Sequence, residues 1–341
     1  MKKNRFIIIG ILMLFIIVVS FIFAMSVGTA GVTWLDTYHI IVNKLFGLYE
    51  GATEDVMVKI IWDLRFPRAI LAVAVGGGLA VAGVAMQAIT QNVLAEPYIL
   101  GVSSGASATV TGVYFFAASL VYVSFVIPIF AFAGAMLSMI MVYKIGMTGR
   151  NNNRLVLAGM TVSVILNAVS QFFISMMDSN SAIRSVTMWM MGSLAGARWN
   201  NLLIPCVGVV IGFVYLFLNA RAYNAMSLGD ETAISLGIDA RQIKKRTIIA
   251  VSFITGIIVS AAGLVGFVGF IIPHIVRSII GSDHRKTLPI CFIGGGIFLL
   301  WMDILARTIM APQEMAIGIF TAFCGGPFFA WLLYRKNGGK M

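Results

Sequence analysis

Long stretches without a charged side chain dominate the chain and predict membrane-spanning helices. A helix crosses the hydrocarbon core of a bilayer with about 20 apolar residues. The interval 97–143 is long enough for two spans. The interval that begins at residue 247 and extends to about residue 280 fits either one long helix or two shorter ones with a glycine-rich break. The pattern therefore predicts nine or ten spans, in the uncharged intervals 6–35, 69–95, 97–143, 155–177, 199–220, 247–276, 287–302 and 315–334.

The positions of the basic residues decide between these two counts, because cytoplasmic loops carry an excess of Lys and Arg. If the N-terminus is cytoplasmic and the 247–280 stretch crosses twice, 16 basic residues lie inside and seven outside, with Arg277 at a span end. This favours an all-α, polytopic protein of ten helices in the cytoplasmic membrane, with both termini inside. The loops at Arg150 and Arg285 are then cytoplasmic, and those at Glu50 and Arg184 face outward. The seven outer residues are Lys44, Lys59, Arg65, Arg68, Arg184, Arg198 and Arg307.

Composition supports the membrane assignment. Hydrophobic residues make up 60% of the 341 and charged residues only 11%, whereas a soluble domain has roughly 25% charged residues. This excludes a soluble enzyme, a disordered chain and a disulfide scaffold. The net charge of +11 fits the cytoplasmic excess of Lys and Arg, and no basic stripe with interleaved aromatic residues indicates nucleic-acid binding. Cys206, Cys291 and Cys324 lie in apolar stretches without C-x-x-C spacing and are expected to be buried free thiols.

Two shorter segments differ from the spans. Residues 32–47 have apolar side chains at helical spacing and are too short and polar to cross, which predicts an amphipathic helix on the outer surface. On the cytoplasmic side, Asp230 and Glu231 suit the start of a short helix that Gly237 would end. That short helix is either a contact site for a partner or a solvated loop.

Chemical groups inside the spans are sparse. Glycine pairs such as Gly101 and Gly105 indicate close helix packing, and no Walker A sequence for ATP occurs. Asp303 is the main intramembrane acid, and we expect a local ion pair with Arg307, four residues on, rather than a proton relay. A secondary transporter would place an acid pair at the bilayer midplane, which the sequence lacks. The scattered histidines do not indicate a membrane-embedded enzyme.

Polar motifs interrupt the apolar pattern in a fixed order. They are residues 65–68 (RFPR), 91–106 (QNVLAEPYILGVSSGA), 228–237 (LGDETAISLG), 266–277 (GFVGFIIPHIVR), 283–285 (DHR), 303–307 (DILAR) and 314–329 (EMAIGIFTAFCGGPFF). From about residue 60 to 335, this succession closely resembles the FecCD-type permeases of ABC importers for iron–siderophores, haem and vitamin B12. The usual Arg-Asn-Pro-Leu-Ala of the family is here Gln91 to Ala95, which removes a basic residue and a proline from a loop linked to the inner gate.

The resemblance implies a type II importer permease, a single transmembrane domain over 1–341. It would pair with a second copy, identical or paralogous, and assemble with two cytoplasmic ABC ATPase subunits and an extracytoplasmic substrate-binding protein. The permease itself would catalyse nothing and bind no metal or cofactor, since ATP and Mg²⁺ belong to the ATPase. Iron–siderophore ranks first as substrate, haem and cobalamin next, and molybdate-like oxyanions lower.

The resemblance also assigns roles to residues. Arg65, Arg68 and Arg307 would dock the binding protein. A cytoplasmic segment at about 222–245 would couple to the ATPase through Gly229, Asp230, Glu231, Ala233, Leu236 and Gly237. The loop of the inner gate and pathway would contain Asn92, Leu94, Ala95, Glu96 and Pro97.

Overall fold

The computed structural model describes residues 2–28, 33–46, 55–117, 123–146 and 152–337, and every regular element in these ranges is helical. A π-helical stretch, Lys59–Arg65, joins α3 to α4, and a 3₁₀ turn, Pro97–Leu100, precedes α5. The helices are α1 (Lys2–Ser26), α2 (Trp34–Phe46), α3 (Asp55–Val58), α4 (Phe66–Thr90), α5 (Val102–Ala117), α6 (Val123–Gly146), α7 (Asn152–Ser175), α8 (Asn180–Met190), α9 (Trp199–Leu218), α10 (Ala220–Met226), α11 (Asp230–Ser235), α12 (Ala240–Ala262), α13 (Val268–Ile280), α14 (His284–Thr308) and α15 (Ile317–Asn337).

Seven of the described helices are long and apolar enough to cross a membrane. They are α1, α6, α7, α9, α12, α14 and the continuous helix Val56–Thr90, which contains α4. Each of the ten predicted spans coincides with one helix, but α5, α13 and the apolar part of α15 are shorter than a full crossing. The all-helical membrane fold is thus confirmed, whereas the count of ten stays a prediction.

The uncertain stretch 247–280 consists of two helices. α12 ends at Ala262, and Gly263, with a φ of +68°, takes the chain out of the helix. α13 then begins at Val268, so residues 263–267 form a non-helical break. The glycine-rich composition that left one or two helices open therefore marks a real interruption.

Helix α4 forms the centre of the bundle, and its residues 74–90 are all buried. Two of its glycines allow neighbouring backbones to approach. A Cβ at Gly76 would lie 2.1 Å from the carbonyl oxygen of Gly295 in α14, and one at Gly83 would lie 1.9 Å from that of Gly269 in α13. Close approach of this kind is how helices pack by van der Waals contact in lipid.

Two sequence expectations concern the periphery of the bundle and can be compared with the structure. The amphipathic segment 32–47 is helical from Trp34 to Phe46, while residues 32 and 47 fall outside the described ranges. The expectation of three buried thiols is wrong in part, because only Cys291 is buried and Cys324 is exposed.

Replacing Gly76 with valine should destabilise the bundle, because the new side chain would overlap the backbone of α14. Overpacking a core costs about 1–3 kcal/mol or more, which should lower the melting temperature of the detergent-purified protein by several degrees. Gly10→Val is the matched control, since a Cβ at Gly10 meets no heavy atom within 4 Å. Equal melting temperatures for the two variants would contradict the close α4–α14 packing.

Candidate functional site at the two ends of α4

The two ends of α4 lie on opposite faces of the bundle. The helix has 25 residues and is therefore about 37 Å long at 1.5 Å per residue, which exceeds the roughly 30 Å hydrocarbon core. Arg65 and Arg68 stand at its first turn, and Gln91 follows its last. Groups clustered at one end are thus separated from those at the other by the thickness of a membrane.

An ion-pair cluster lies at the arginine end. Arg68 Nε lies 2.9 Å from a carboxylate oxygen of Asp303, and Arg68 Nη1 lies 2.9 Å from one of Glu314. The expected pair between Asp303 and Arg307 is present, with Arg307 Nε at 3.4 Å. Asp303 is almost fully buried, so its charge is compensated mainly by Arg68, a partner that the sequence did not indicate.

The other two arginines of the predicted docking set bind the C-terminal end of α1. Arg65 Nη1 donates hydrogen bonds to the carbonyl oxygens of Met25 (2.7 Å) and Ser26 (3.0 Å), and Arg307 Nη2 donates to that of Ala24. These are the carbonyls that a helix end leaves without an intrahelical partner, and cations there also complement the helix dipole. The structure thus brings Arg65, Arg68 and Arg307 together, but each already has partners within the chain.

A cavity of about 320 Å³ opens beside this cluster. Its lining is Gly28, Ile60, Leu64, Arg65, Arg68, Ala195, Arg198, Arg307, Pro312 and Glu314. The guanidinium of Arg198 is exposed and donates to the carbonyls of Ala195 (2.9 Å) and Ala197 (2.7 Å). Among the described residues, no carboxylate forms an ion pair with it. The sequence placed Arg198 on the outer face but did not link it to the other arginines.

An aromatic cluster fixes Arg198 at the cavity. The indole N–H of the next residue, Trp199, donates to the carbonyl of Trp62 at 2.8 Å. The rings of Trp62, Phe66 and Trp199 have centroids 5.0–5.5 Å apart, a separation typical of attractive aromatic pairs. Because Phe66 begins α4, Arg198 is held next to the first turn of that helix.

At the opposite end of α4 lies the short helix α11. It begins at Asp230, as predicted from the two acids, and it ends at Ser235. The amides of Gly237 and Ile238 donate to the carbonyls of Ile234 (2.9 Å) and Ala233 (3.0 Å), and Gly237 has a φ of +79°. This is the Schellman arrangement for ending a helix at glycine, so the stop at Gly237 is confirmed.

Three large apolar side chains around α11 point away from the bundle. Leu228, Ile234 and Leu236 are 71%, 62% and 64% exposed, whereas Ala233 on the opposite face is buried. We call these three residues the apolar knob. A cluster of apolar groups on a protruding polar segment is typical of a surface that another protein covers.

Polar contacts anchor the α11 segment to the bundle. Gln91 Nε2 donates to Asp230 Oδ1 (3.1 Å) and to the carbonyl of Met226 (3.0 Å), and Lys244 forms an ion pair with Asp230. Asn224 in α10 donates to Asp283 Oδ1 at 2.9 Å. Burial alone would raise the pKa of Asp283, but this bond and that from the amide of Arg285 hold the pKa below its ordinary value.

The predicted gate loop connects two regions. Asn92 stabilises its turn by accepting from the amides of Leu94 (3.0 Å) and Ala95 (3.1 Å), close to the α11 contact of Gln91. Glu96, at the other end of the loop, accepts a hydrogen bond from the amide of Phe267 at 2.5 Å. Pro97 is buried. The loop therefore reaches from the α11 segment to the break between α12 and α13, a contact that the sequence did not reveal.

The arrangement of a cationic cavity and an apolar knob at opposite ends of one buried helix agrees with a sequence match over nearly the whole chain. Residues 15–335 match the FecCD transport family. The chain belongs to the FecCD transport family. The resemblance drawn from the motifs is thereby confirmed.

The relatives of this FecCD protein are named for different substrates. It is 36% identical to the hemin transport system permease HmuU of Yersinia pestis, over 85% of this chain and 87% of the relative. It is 37% identical to the Fe(3+)-citrate import system permease YfmD of Bacillus subtilis, over 96% of both chains. The cobalamin import permease BtuC of Halobacterium salinarum is 38% identical, over 84% of this chain and 76% of the relative.

Solved structures agree with the fold. An ABC transporter of the metal-chelate type in an inward-facing conformation superposes with a TM-score of 0.81 at 28% identity, covering 96% of this chain and 99% of that one. PsaBC from Streptococcus pneumoniae superposes with a TM-score of 0.52 at 13% identity, covering 78% and 89%, which supports the fold alone. The FecCD chain therefore has the fold of an ABC importer permease.

The positions of the two surfaces in this FecCD protein predict a specific orientation. In a background with Cys206 and Cys324 replaced by serine, Arg184→Cys should react with a membrane-impermeant maleimide added to intact cells. Arg285→Cys should react only after permeabilisation, because its basic neighbours favour the cytoplasm. Both side chains are exposed, so access alone decides the outcome, while positions 50 and 150 lie outside the described residues. Outward labelling at 285 would contradict the assigned orientation.

Proposed function

We propose that this chain is the permease subunit of an ATP-driven importer that moves an iron chelate, with iron–siderophore the first choice, across the cytoplasmic membrane. The family match over residues 15–335 carries the proposal. The relatives named for hemin, iron citrate and cobalamin keep haem and cobalamin as alternatives. A secondary transporter is the alternative from another class.

The proposed importer contains a second permease copy, two cytoplasmic ABC ATPases that bind ATP and Mg²⁺, and an extracytoplasmic binding protein. The apolar knob is the contact for an ATPase. Its side chains Leu228, Ile234 and Leu236 lie in and beside α11, whose C-terminal end is closed by the turn at Gly237. They lose contact with water on docking. The bonds of Asp230 to Gln91 and Lys244 give the ATPase a mechanical connection to α4 and α12.

Ile234→Asp should uncouple the importer, because a charge would replace an apolar group at the centre of the knob. In proteoliposomes that contain the complete importer, we expect iron–siderophore uptake driven by ATP to fall at least tenfold, with less ATPase co-purifying. Ser282→Asp is the control, since it adds the same charge at an exposed position outside the segment 222–245. Normal uptake by Ile234→Asp would contradict the role of the knob.

The same proteoliposomes distinguish the proposed substrates and classes. Uptake should require the ATPase, ATP and the binding protein. Iron–siderophore, haem and cobalamin are then tested in turn, and the compound that stimulates ATP hydrolysis is the substrate. Uptake that persists without the ATPase would instead favour a secondary transporter.

We propose that the binding protein docks on the arginine end of α4, where acidic side chains of that protein meet the cationic cavity. Arg65, Arg68 and Arg307 contribute positive charge to the lining of the cavity, although their guanidiniums are bound within the chain. Arg198 is the exposed guanidinium, and its two bonds to carbonyl oxygens hold its planar fork for bidentate contact with a carboxylate. Reversal of Arg65 or Arg68 would break internal contacts, so Arg198 offers the cleaner test.

Arg198→Glu should slow association of the binding protein about tenfold at low salt, with a smaller effect at high salt, because charges at the rim of an interface act mainly on the association rate. Arg184→Glu is the matched control, an exposed arginine outside the cavity. The measurement is surface plasmon resonance with the complete importer in nanodiscs. Equal association rates for the two variants would exclude Arg198 from the docking surface.

A further inference from the structure

The break between α12 and α13 contains backbone groups that no helix satisfies. Residues 263–267 are non-helical and lie between two helices of the bundle. Non-helical backbone among membrane-spanning helices is tolerated only where the protein supplies the missing hydrogen bonds. The partners of this break therefore show which parts of the chain hold it.

Two side chains from the segment before α5 provide such bonds. Glu96 accepts from the amide of Phe267 at 2.5 Å, and Tyr98 Oη accepts from the amide of Val265 at 3.2 Å. The carboxylate of Glu96 also stands at the N-terminus of α13, where a negative charge is favourable. The two acceptors thus fix the break from one side.

Phe267 is held in a conformation that its side chain disfavours. Its φ is +67°, and among the described residues only one other non-glycine residue, Gln91, has a positive φ. A bulky residue in the left-handed region is strained and persists only when its surroundings enforce it. The carbonyl of Phe267 accepts from the amides of Phe270 (3.1 Å) and Ile271 (2.9 Å) within α13, and its amide donates to Glu96, the side chain that acts on this backbone.

The ring of Phe267 transmits this conformation to α15. A Cβ added at Gly325 would lie 2.1 Å from the Phe267 ring, so the ring occupies a notch that glycine leaves in α15. At its start, α15 is bound separately, because the amides of Ile317 and Gly318 donate to the carbonyls of Gly192 (3.1 Å) and Met191 (3.0 Å). Phe267 is thus a further attachment, two turns along the helix, and the Phe270 ring adds contacts with the rings of Phe328 (5.9 Å) and Phe329 (5.3 Å).

We propose that Glu96 is a positioning residue that, through the left-handed Phe267, fixes α15 against the bundle and so keeps ATP hydrolysis coupled to transport. The part that concerns coupling rests on the function proposed above. The positioning of α15 by Glu96 involves this chain alone and does not depend on that function. Glu96 is also the far end of the loop that starts at Gln91 beside α11, so the contact continues the path from the coupling segment.

The native thiol of Cys324 reports the packing of α15. It precedes Gly325, is exposed, and lies 3.8 Å from the sulfur of Met302 in α14. In membranes that contain the full chain with Cys206→Ala, Glu96→Ala should raise the rate of maleimide labelling at Cys324 at least about threefold, since loss of a hydrogen bond to a charged group shifts a local equilibrium by that factor or more. Glu96→Gln keeps an oxygen acceptor and should label at the parent rate.

A double substitution separates positioning from a general loss of stability. Phe267→Gly adopts a positive φ without strain but lacks the ring, so it should also raise the labelling rate. Because Glu96 acts through Phe267, adding Glu96→Ala to Phe267→Gly should change the rate no further, as expected for two coupled residues. Additive effects, or a parent rate in Glu96→Ala, would overturn the proposal. If Glu96→Ala does not fold, the same test applies to Glu96→Asp, whose shorter carboxylate reaches the Phe267 amide less well and should raise the rate by a smaller factor.

The complete importer tests the second part. Glu96→Ala should lower the amount of iron–siderophore taken up per ATP hydrolysed, and Glu96→Gln should restore it. Unchanged stoichiometry in Glu96→Ala would overturn the coupling role. If even the parent importer shows no ATP-dependent uptake, the proposed function fails, whereas the labelling result still decides the role of Glu96 in positioning α15.

Discussion

A backbone group that leaves its helix inside a bilayer finds no water, so the protein must supply its hydrogen-bond partner. Two examples in the described part of the chain show side chains that meet this demand. The last carbonyls of α1 accept from Arg65 and Arg307, and the amides of the α12–α13 break donate to Glu96 and Tyr98. The polar residues that stand out in the apolar sequence therefore hold helix ends in place, and any further role must be compatible with that one.

Helix α4 depends on the same constraint in another way. Its glycines allow α13 and α14 to approach its backbone closely, so the helix is enclosed by protein over residues 74–90. An enclosed helix moves only together with its neighbours. Gln91 at one end of α4 is bonded to Asp230, and Arg68 at the other is paired with Asp303. The proposed coupling segment and the cavity therefore contact the two ends of one helix.

The parts of the structure that the sequence predicts are those that depend on local pattern. Uncharged intervals predicted the helices, the glycines at 263 and 266 indicated the break, and the acids and glycine of 230–237 defined α11. The contacts that it did not predict join distant residues: Arg68 and Asp303 are 235 positions apart, and Glu96 and Phe267 are 171 apart. A charge count can place an arginine on one face of the membrane, but its partner depends on how the helices pack.

The arginine end of α4 combines a stabilising role with the proposed binding role. Arg68 is neutralised by Asp303 and Glu314, and the charges of Arg65 and Arg307 compensate the negative end of the α1 dipole. Four guanidiniums and one carboxylate line the cavity, so positive potential remains at its mouth, where Arg198 is exposed. An acidic partner can therefore be attracted there while the internal bonds stay intact. On the predicted outer face, the cations that the cytoplasmic bias disfavours there have a structural reason to be present before any partner arrives.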